Sequence, residues 1–111
     1  MIESLIMLGF NLHQSKILSI LLDEQWHTMR ELETTCELRQ PEVSVALKAL
    51  ADYLEVESSR VEKGRPIKLV RIDDLNLMRS DINTRISEEY NEKFSALECL
   101  GDLTPLHEED N

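Results

Sequence analysis

The chain has 111 residues, 41% hydrophobic and 31% charged, a length and balance that suit one folded domain with an extra arm and exclude wholesale disorder. Three glycines, three prolines and 5% aromatics argue against a turn-rich β-sandwich, so helices should dominate. The formal net charge of −10 excludes a uniformly basic nucleic-acid binder, and no apolar run reaches the roughly 20 residues needed to cross a bilayer.

In chain order, Ile2, Leu5, Ile6 and Leu8 predict a helical turn or two stopped by Gly9, and Asn11 stands as the N-cap of a second helix. The opening stretch MIESLIMLGF has neither a positive flank nor a small-residue cleavage site, so a cytoplasmic location is expected. From Leu12 to about Asp23, the residues Leu12, Ile17, Leu18, Ile20, Leu21 and Leu22 make a broad apolar stripe suited to the middle of a small core. Thr28 to Glu31 has the capping-box form and starts a short third helix with Met29, Leu32 and Cys36 on its apolar face. The pattern breaks over residues 37–40, and a fourth helix is expected from Pro41 at its first position. Its Val43, Leu47, Leu50 and Leu54 should point inward, leaving Gln40, Glu42, Ser44, Val45 and Lys48 outside.

After Leu54 the period changes to two. VESSRV (56–61) and IKLVRI (67–72), joined by residues 62–66, predict a β-hairpin with a basic tip. Asp73 and Asp74 then cap a last helix whose Leu75, Met78, Ile82, Ile86, Tyr90, Phe94, Leu97 and Leu100 recur every three or four positions. At 1.5 Å per residue this stripe extends roughly 39 Å, more than so small a core needs, so much of it should meet a second copy. Its spacing, nearer 3.6 than a strict heptad, favours an antiparallel helix pair. Gly101 should end the helix, and the acidic residues 102–111 should fray.

This order describes a mainly α chain with a small β-hairpin wing: a winged helix-turn-helix at residues 1–72, a C-terminal dimerisation helix at 73–101 and a flexible tail at 102–111. The stretch TMRELETTCELRQPEVSVALKALADYL followed by SSRVEKGRPIKLVRI resembles archaeal, methanogen-type transcriptional regulators of the ArsR-like and MarR-like winged-helix group, over about residues 10–72. The resemblance implies that LRQPEVS opens a helix entering the DNA major groove and that KGRPIK forms a wing on the flanking backbone or in a minor groove. Gln40 departs from the group as a weak N-cap, and Leu54 stands where these proteins often carry glycine, a residue that accepts the left-handed conformation leucine resists. The paired cysteines through which ArsR-type regulators often sense metals have no counterpart in residues 41–53.

Charge is divided unevenly: residues 1–38 carry −4, residues 39–71 carry +2 and residues 72–111 carry −8. Within residues 60–71, Arg60, Lys63, Arg65, Lys68 and Arg71 outweigh Glu62 for a local +4, so the hairpin is the electropositive element. On the fourth helix Gln40 suits adenine, Ser44 a base or a phosphate, Val45 a thymine methyl, Arg39 a guanine or a phosphate, and Glu42 cytosine N4. The expected DNA contacts are therefore Arg39, Gln40, Glu42, Ser44, Val45, Lys48, Arg60, Lys63, Arg65 and Lys68, with Arg65 foremost. The expected dimerisation residues are Leu75, Met78, Ile82, Ile86, Tyr90, Phe94 and Leu97.

His13, His27, His107, Cys36 and Cys99 are scattered without metal-ligand spacing, so neither a metal nor another cofactor is expected. Cys36 should be a packed thiol and Trp26 a lid on the core. No nucleotide-binding or nucleophile-elbow motif occurs, and the pairs Glu88-Glu89 and Glu108-Glu109 lack any partner for acid-base work, so no enzyme is expected. Two functions remain. One is a homodimeric regulator on double-stranded DNA, by default a repressor, with an effector the sequence does not identify. The other is an acidic winged-helix module that binds proteins in a transcription or chromosome-associated assembly.

Overall fold

The computed structural model describes residues 1–60 and 66–103. Helix α1 (Ile2–Met7) runs out at Gly9, whose φ of 109° only glycine adopts without strain. Helix α2 (Leu12–Leu21) starts at Asn11, which accepts from the Gln14 amide at 2.8 Å while Gln14 accepts from the Asn11 amide at 3.1 Å. Thr28 and Glu31 close the same reciprocal box at the head of α3 (Met29–Cys36), both bonds at 3.0 Å. Glu37, left-handed at φ 55° and ψ 46°, ends α3, and the Leu38 amide reaches back to the Glu33 carbonyl at 2.9 Å. That closure turns the chain sharply into α4 (Gln40–Ala49) and buries Leu38 beneath it.

Two expectations about α4 are corrected. Its N-cap is Arg39 and not Gln40, which places Pro41 second in the helix; Glu42 accepts from the Arg39 amide at 2.8 Å, and only this half of a capping box forms because a guanidinium has no acceptor. Leu54 is not helical. A 3₁₀ turn, Ala51–Tyr53, follows α4, and Leu54 at φ −114° and ψ 150° opens strand β2 (Leu54–Arg60) in extended conformation. The turn into the hairpin therefore needs no left-handed residue at position 54.

Strand β3 (Pro66–Ile72) pairs antiparallel with β2, Leu54 opposite Ile72 through to Arg60 opposite Pro66. A third strand, β1 (His27–Thr28), pairs with Val70 and Leu69 on the other edge, giving the order β1-β3-β2. Two residues are too few to show a period, so β1 left no sequence signal. The core forms where α2 packs against α3 and α4 and α3 meets the sheet: Ile17, Leu18, Leu21, Leu32, Val43, Leu50 and Val70 are at most 1% exposed. Each such side chain contributes roughly 1.5–3 kcal/mol by leaving water. Leu12, expected in that stripe, is 49% exposed because it lies in the first turn of α2. Ser15 is fully buried in the middle of α2, and its hydroxyl has no partner among the described residues.

Trp26 is half-buried and offers one ring face to the Arg71 guanidinium at 4.6 Å. Helix α5 (Leu75–Leu103) continues through Gly101 instead of ending there. One helical glycine costs about 1 kcal/mol and stops a helix only where it turns left-handed. The chain divides into two compact units, Met1–Met78 and Arg79–Asn111. Among the described residues no helix is long and apolar enough to cross a membrane.

Candidate nucleic-acid interface

Helix α4 buries Val43, Ala46 and Leu50, which fixes what its opposite side presents. Arg39, Gln40, Val45 and Lys48 are exposed, and Glu42 and Ser44 are half-buried. Val45 is 69% exposed, an apolar side chain displayed on an otherwise polar helix face. The Glu42 carboxylate already serves the Arg39 amide; that bond, aided by the charges of His13, Arg39 and Lys16 and opposed by some desolvation, holds its pKa below the usual carboxylate range.

The pleat of the hairpin sorts its side chains. Val70 and Ile72 are buried, and Lys68 shares their alternation but lies where the strand runs beyond the core, so its ammonium is exposed. Lys68 consequently stands across from α3 and α4. A cleft of about 810 Å³ separates these elements, lined by Thr28, Met29, Arg30 and Glu33 of α3 and its cap, Gln40 and Ser44 of α4, and Pro66, Ile67 and Lys68 of β3. A smaller apolar recess of about 250 Å³ continues under the hairpin between Leu47 and Lys48 on one side and Val56 and Val70 on the other.

Arg71 falls on the other face of β3. Its Nε lies 2.9 Å from Oε1 of Glu55, the residue directly across the ladder, while its guanidinium covers Trp26. One cation counted toward the local +4 of the hairpin is thus neutralised and directed away from α4, a correction to the charge estimate. Lys63 and Arg65 lie outside the described residues, and Arg60 is described only through its backbone pairing with Pro66. Of the expected contacts, the structure brings Gln40, Ser44 and Lys68 to one cleft and displays Arg39, Val45 and Lys48 on the same helix. Arg30 was missed: it sits beside the Thr28 capping box, and its only sequence signal is a cation in the first turn of the helix preceding α4.

On α5, Leu75 is half-buried, and Met78 and Ile82 are 3% and 6% exposed. Beyond them the stripe is open: Ile86 at 37%, Tyr90 at 64%, Phe94 at 49%, Leu97 at 57% and Leu100 at 62%. Tyr90 and Phe94 stack with centroids 5.9 Å apart. Cys36 is buried, and burial pushes its thiol pKa up; Cys99 is exposed. Among the described residues no cluster of three metal-ligating side chains occurs.

No protein-family model matches the chain, and no curated protein matches it significantly. Solved structures do. A possible transcriptional regulator from Methanosarcina mazei Go1 superposes with a TM-score of 0.68 at 17% identity, covering 82% of this chain and 79% of that one. TrmBL2, an archaeal chromatin protein whose structure is described as showing a novel mode of DNA binding, superposes with a TM-score of 0.49 at 24% identity, covering 92% of this chain and 39% of that one. Together with the element order, the first likeness establishes the fold: a winged helix-turn-helix, mainly α with a small antiparallel sheet and a long C-terminal helix.

Proposed function

We propose that this winged helix-turn-helix is a homodimeric, DNA-binding transcriptional regulator of the ArsR-like or MarR-like group, acting without catalysis or cofactor in the cytoplasm. Helix α4 enters the major groove, where Gln40, Ser44 and Val45 face bases and Arg39 and Lys48 flank them. The hairpin lies on the adjoining backbone or in the minor groove through Arg60, Lys63, Arg65 and Lys68. The exposed stripe of α5 joins two copies, and occupation of a promoter represses transcription. The observation that carries this proposal is the cleft that sets Gln40 and Ser44 of α4 opposite Lys68 of β3, base-reading chemistry and phosphate-binding chemistry on one surface. The similarity of fold to the Methanosarcina protein, a possible transcriptional regulator, supports it.

The net charge of −10 favours one other role, a protein-binding module that repels DNA. A mobility shift on random duplex at about 50 mM and 200 mM salt separates the two, because phosphate-driven affinity falls steeply over that interval. Wild type should shift duplex at the lower salt and lose most binding at the higher, with Arg65→Ala and Lys68→Ala each weaker than wild type. Absence of any shift by wild type at low salt would rule out the regulator.

A further inference from the structure

The recess of about 250 Å³ that adjoins the cleft is walled by aliphatic side chains, Leu47 of α4, Ala51 of the 3₁₀ turn and Val56 and Val70 of the hairpin, together with Met29 of α3. Val56 stands directly across the ladder from Val70, yet it is 57% exposed where Val70 is 1%, so the apolar face of the hairpin runs past what the core covers. The polar lining is Ser44, Lys48 and Lys68: two ammonium groups, one from α4 and one from β3, and among the described residues no carboxylate. In a chain with 22 anions against 12 cations that composition is particular to this place, because the adjoining cleft includes Glu33, the recess at Pro41 and Val45 includes Glu42, and the recess at Ile20 and Cys36 includes Glu37. Both lysines are exposed, which puts their charge at the mouth of an apolar hollow. The complement of that arrangement is a molecule with an apolar body and one anionic head. The volume falls below the roughly 300–1,000 Å³ of sites for drug-sized ligands, so the body is short, and no aromatic ring lines the hollow to select a flat one by stacking.

We propose that this recess binds a short aliphatic carboxylate, its chain against Leu47, Val56 and Val70 and its head between Lys48 and Lys68, and that its occupation releases DNA. The second half rests on the DNA-binding proposal, in which the same two lysines face the duplex. A carboxylate that takes both ammonium groups removes them from DNA, and by linkage bound duplex weakens the carboxylate to the same degree.

The test is a methyl-detected NMR titration of the full chain with sodium hexanoate, at ionic strength held constant with sodium chloride. Saturating shifts should appear at the methyls of Met29, Leu47, Ala51, Val56 and Val70. Lys48→Ala and Lys68→Ala should each weaken hexanoate by about fivefold, the upper worth of a solvent-exposed ion pair. Hexanol, which makes neither pair, should bind wild type more weakly than hexanoate binds either variant. Val56→Phe, which fills the recess from an exposed position, should abolish the shifts at the remaining methyls and keep the wild-type affinity for duplex. In fluorescence anisotropy with a labelled duplex, hexanoate should displace DNA from wild type and not from Val56→Phe. Absence of shifts, or equal binding of hexanol and hexanoate, would overturn the site. Shifts of the same methyls on raising the protein concentration alone would give the recess to a second copy and overturn it too. Saturation by hexanoate without release of duplex would overturn the regulatory half. Failure of wild type to bind any duplex at low salt would remove the DNA-binding proposal, and the hexanoate titration would still decide the site.

Discussion

His27, at the start of β1, lies between two carboxylates. Its Nε2 is 2.8 Å from Oδ2 of Asp23, its Nδ1 is 3.5 Å from Oε2 of Glu31, and its side chain is 12% exposed. Burial of the ring opposes its charge, but the hydrogen bond and charge of Asp23 and the charge of Glu31 outweigh burial and raise the pKa above 6.5. On the other partner, the Gln25 amide and then His27 hold the Asp23 carboxyl below 3.8. A raised histidine stabilises the fold fully below its unfolded value and loses that contribution as pH rises through the folded value; the depressed Asp23 contributes above 3.8 and loses its share as pH falls through its lowered value. The thermal midpoint should therefore decline as pH is raised from about 6 to 9, and His27→Gln should flatten that decline. Identical pH profiles of wild type and variant in a melting series would refute the assignment. Histidine and both carboxylates are plain in the sequence, but their meeting is not: Asp23 and Glu31 are each four residues away, and the chain between Asp23 and His27 is not helical.

At the scale of elements, the reciprocal caps at Asn11 and Thr28 were legible because the residues that make them are three apart in sequence. The end of α4 was not, because Leu54 keeps a helical spacing from Leu50 while its φ and ψ are decided by pairing with Ile72. Helix α5 shows a similar division. Its stripe is one pattern in the sequence, yet Met78 and Ile82 are at most 6% exposed while Ile86, Tyr90, Phe94, Leu97 and Leu100 are open. A stacked Tyr90 and Phe94 with open apolar neighbours is a surface that water disfavours and a second helix would cover. Light scattering should find wild type dimeric, whereas Ile86→Glu with Tyr90→Glu should be monomeric and should lose DNA binding with the dimer. A monomeric wild type sinks the dimer proposal.

For the whole molecule, charge decides how the proposed DNA complex would be held. The −8 of residues 72–111 dwarfs the +2 of residues 39–71, a sum in which Glu55 already offsets its partner Arg71. In the proposed complex, affinity would come from a few phosphates counted twice by a dimer. If two copies neutralise roughly eight phosphates, log K should fall against log salt with a slope of about −7, and a titration giving a slope near zero would exclude phosphate-driven binding.

Local and periodic features were settled by sequence alone: the capped starts of α2 and α3, most of the inward stripe of α2, the pairing of two strands after α4, and the acidic character of the C-terminal third. These depend on neighbours within about four residues or on alternation along one strand. Tertiary structure alone decided which cations face α4. Lys68 and Arg71 are three apart on one strand, in the same basic run, and the pleat sends them to opposite faces, one to the open cleft and the other to Glu55 and Trp26. Arg30 reaches the site only because α3, folded back across α4 by the left-handed turn at Glu37, comes to lie against β3. Contacts between residues so distant in sequence leave no mark in any local pattern, and the candidate interface is made of them.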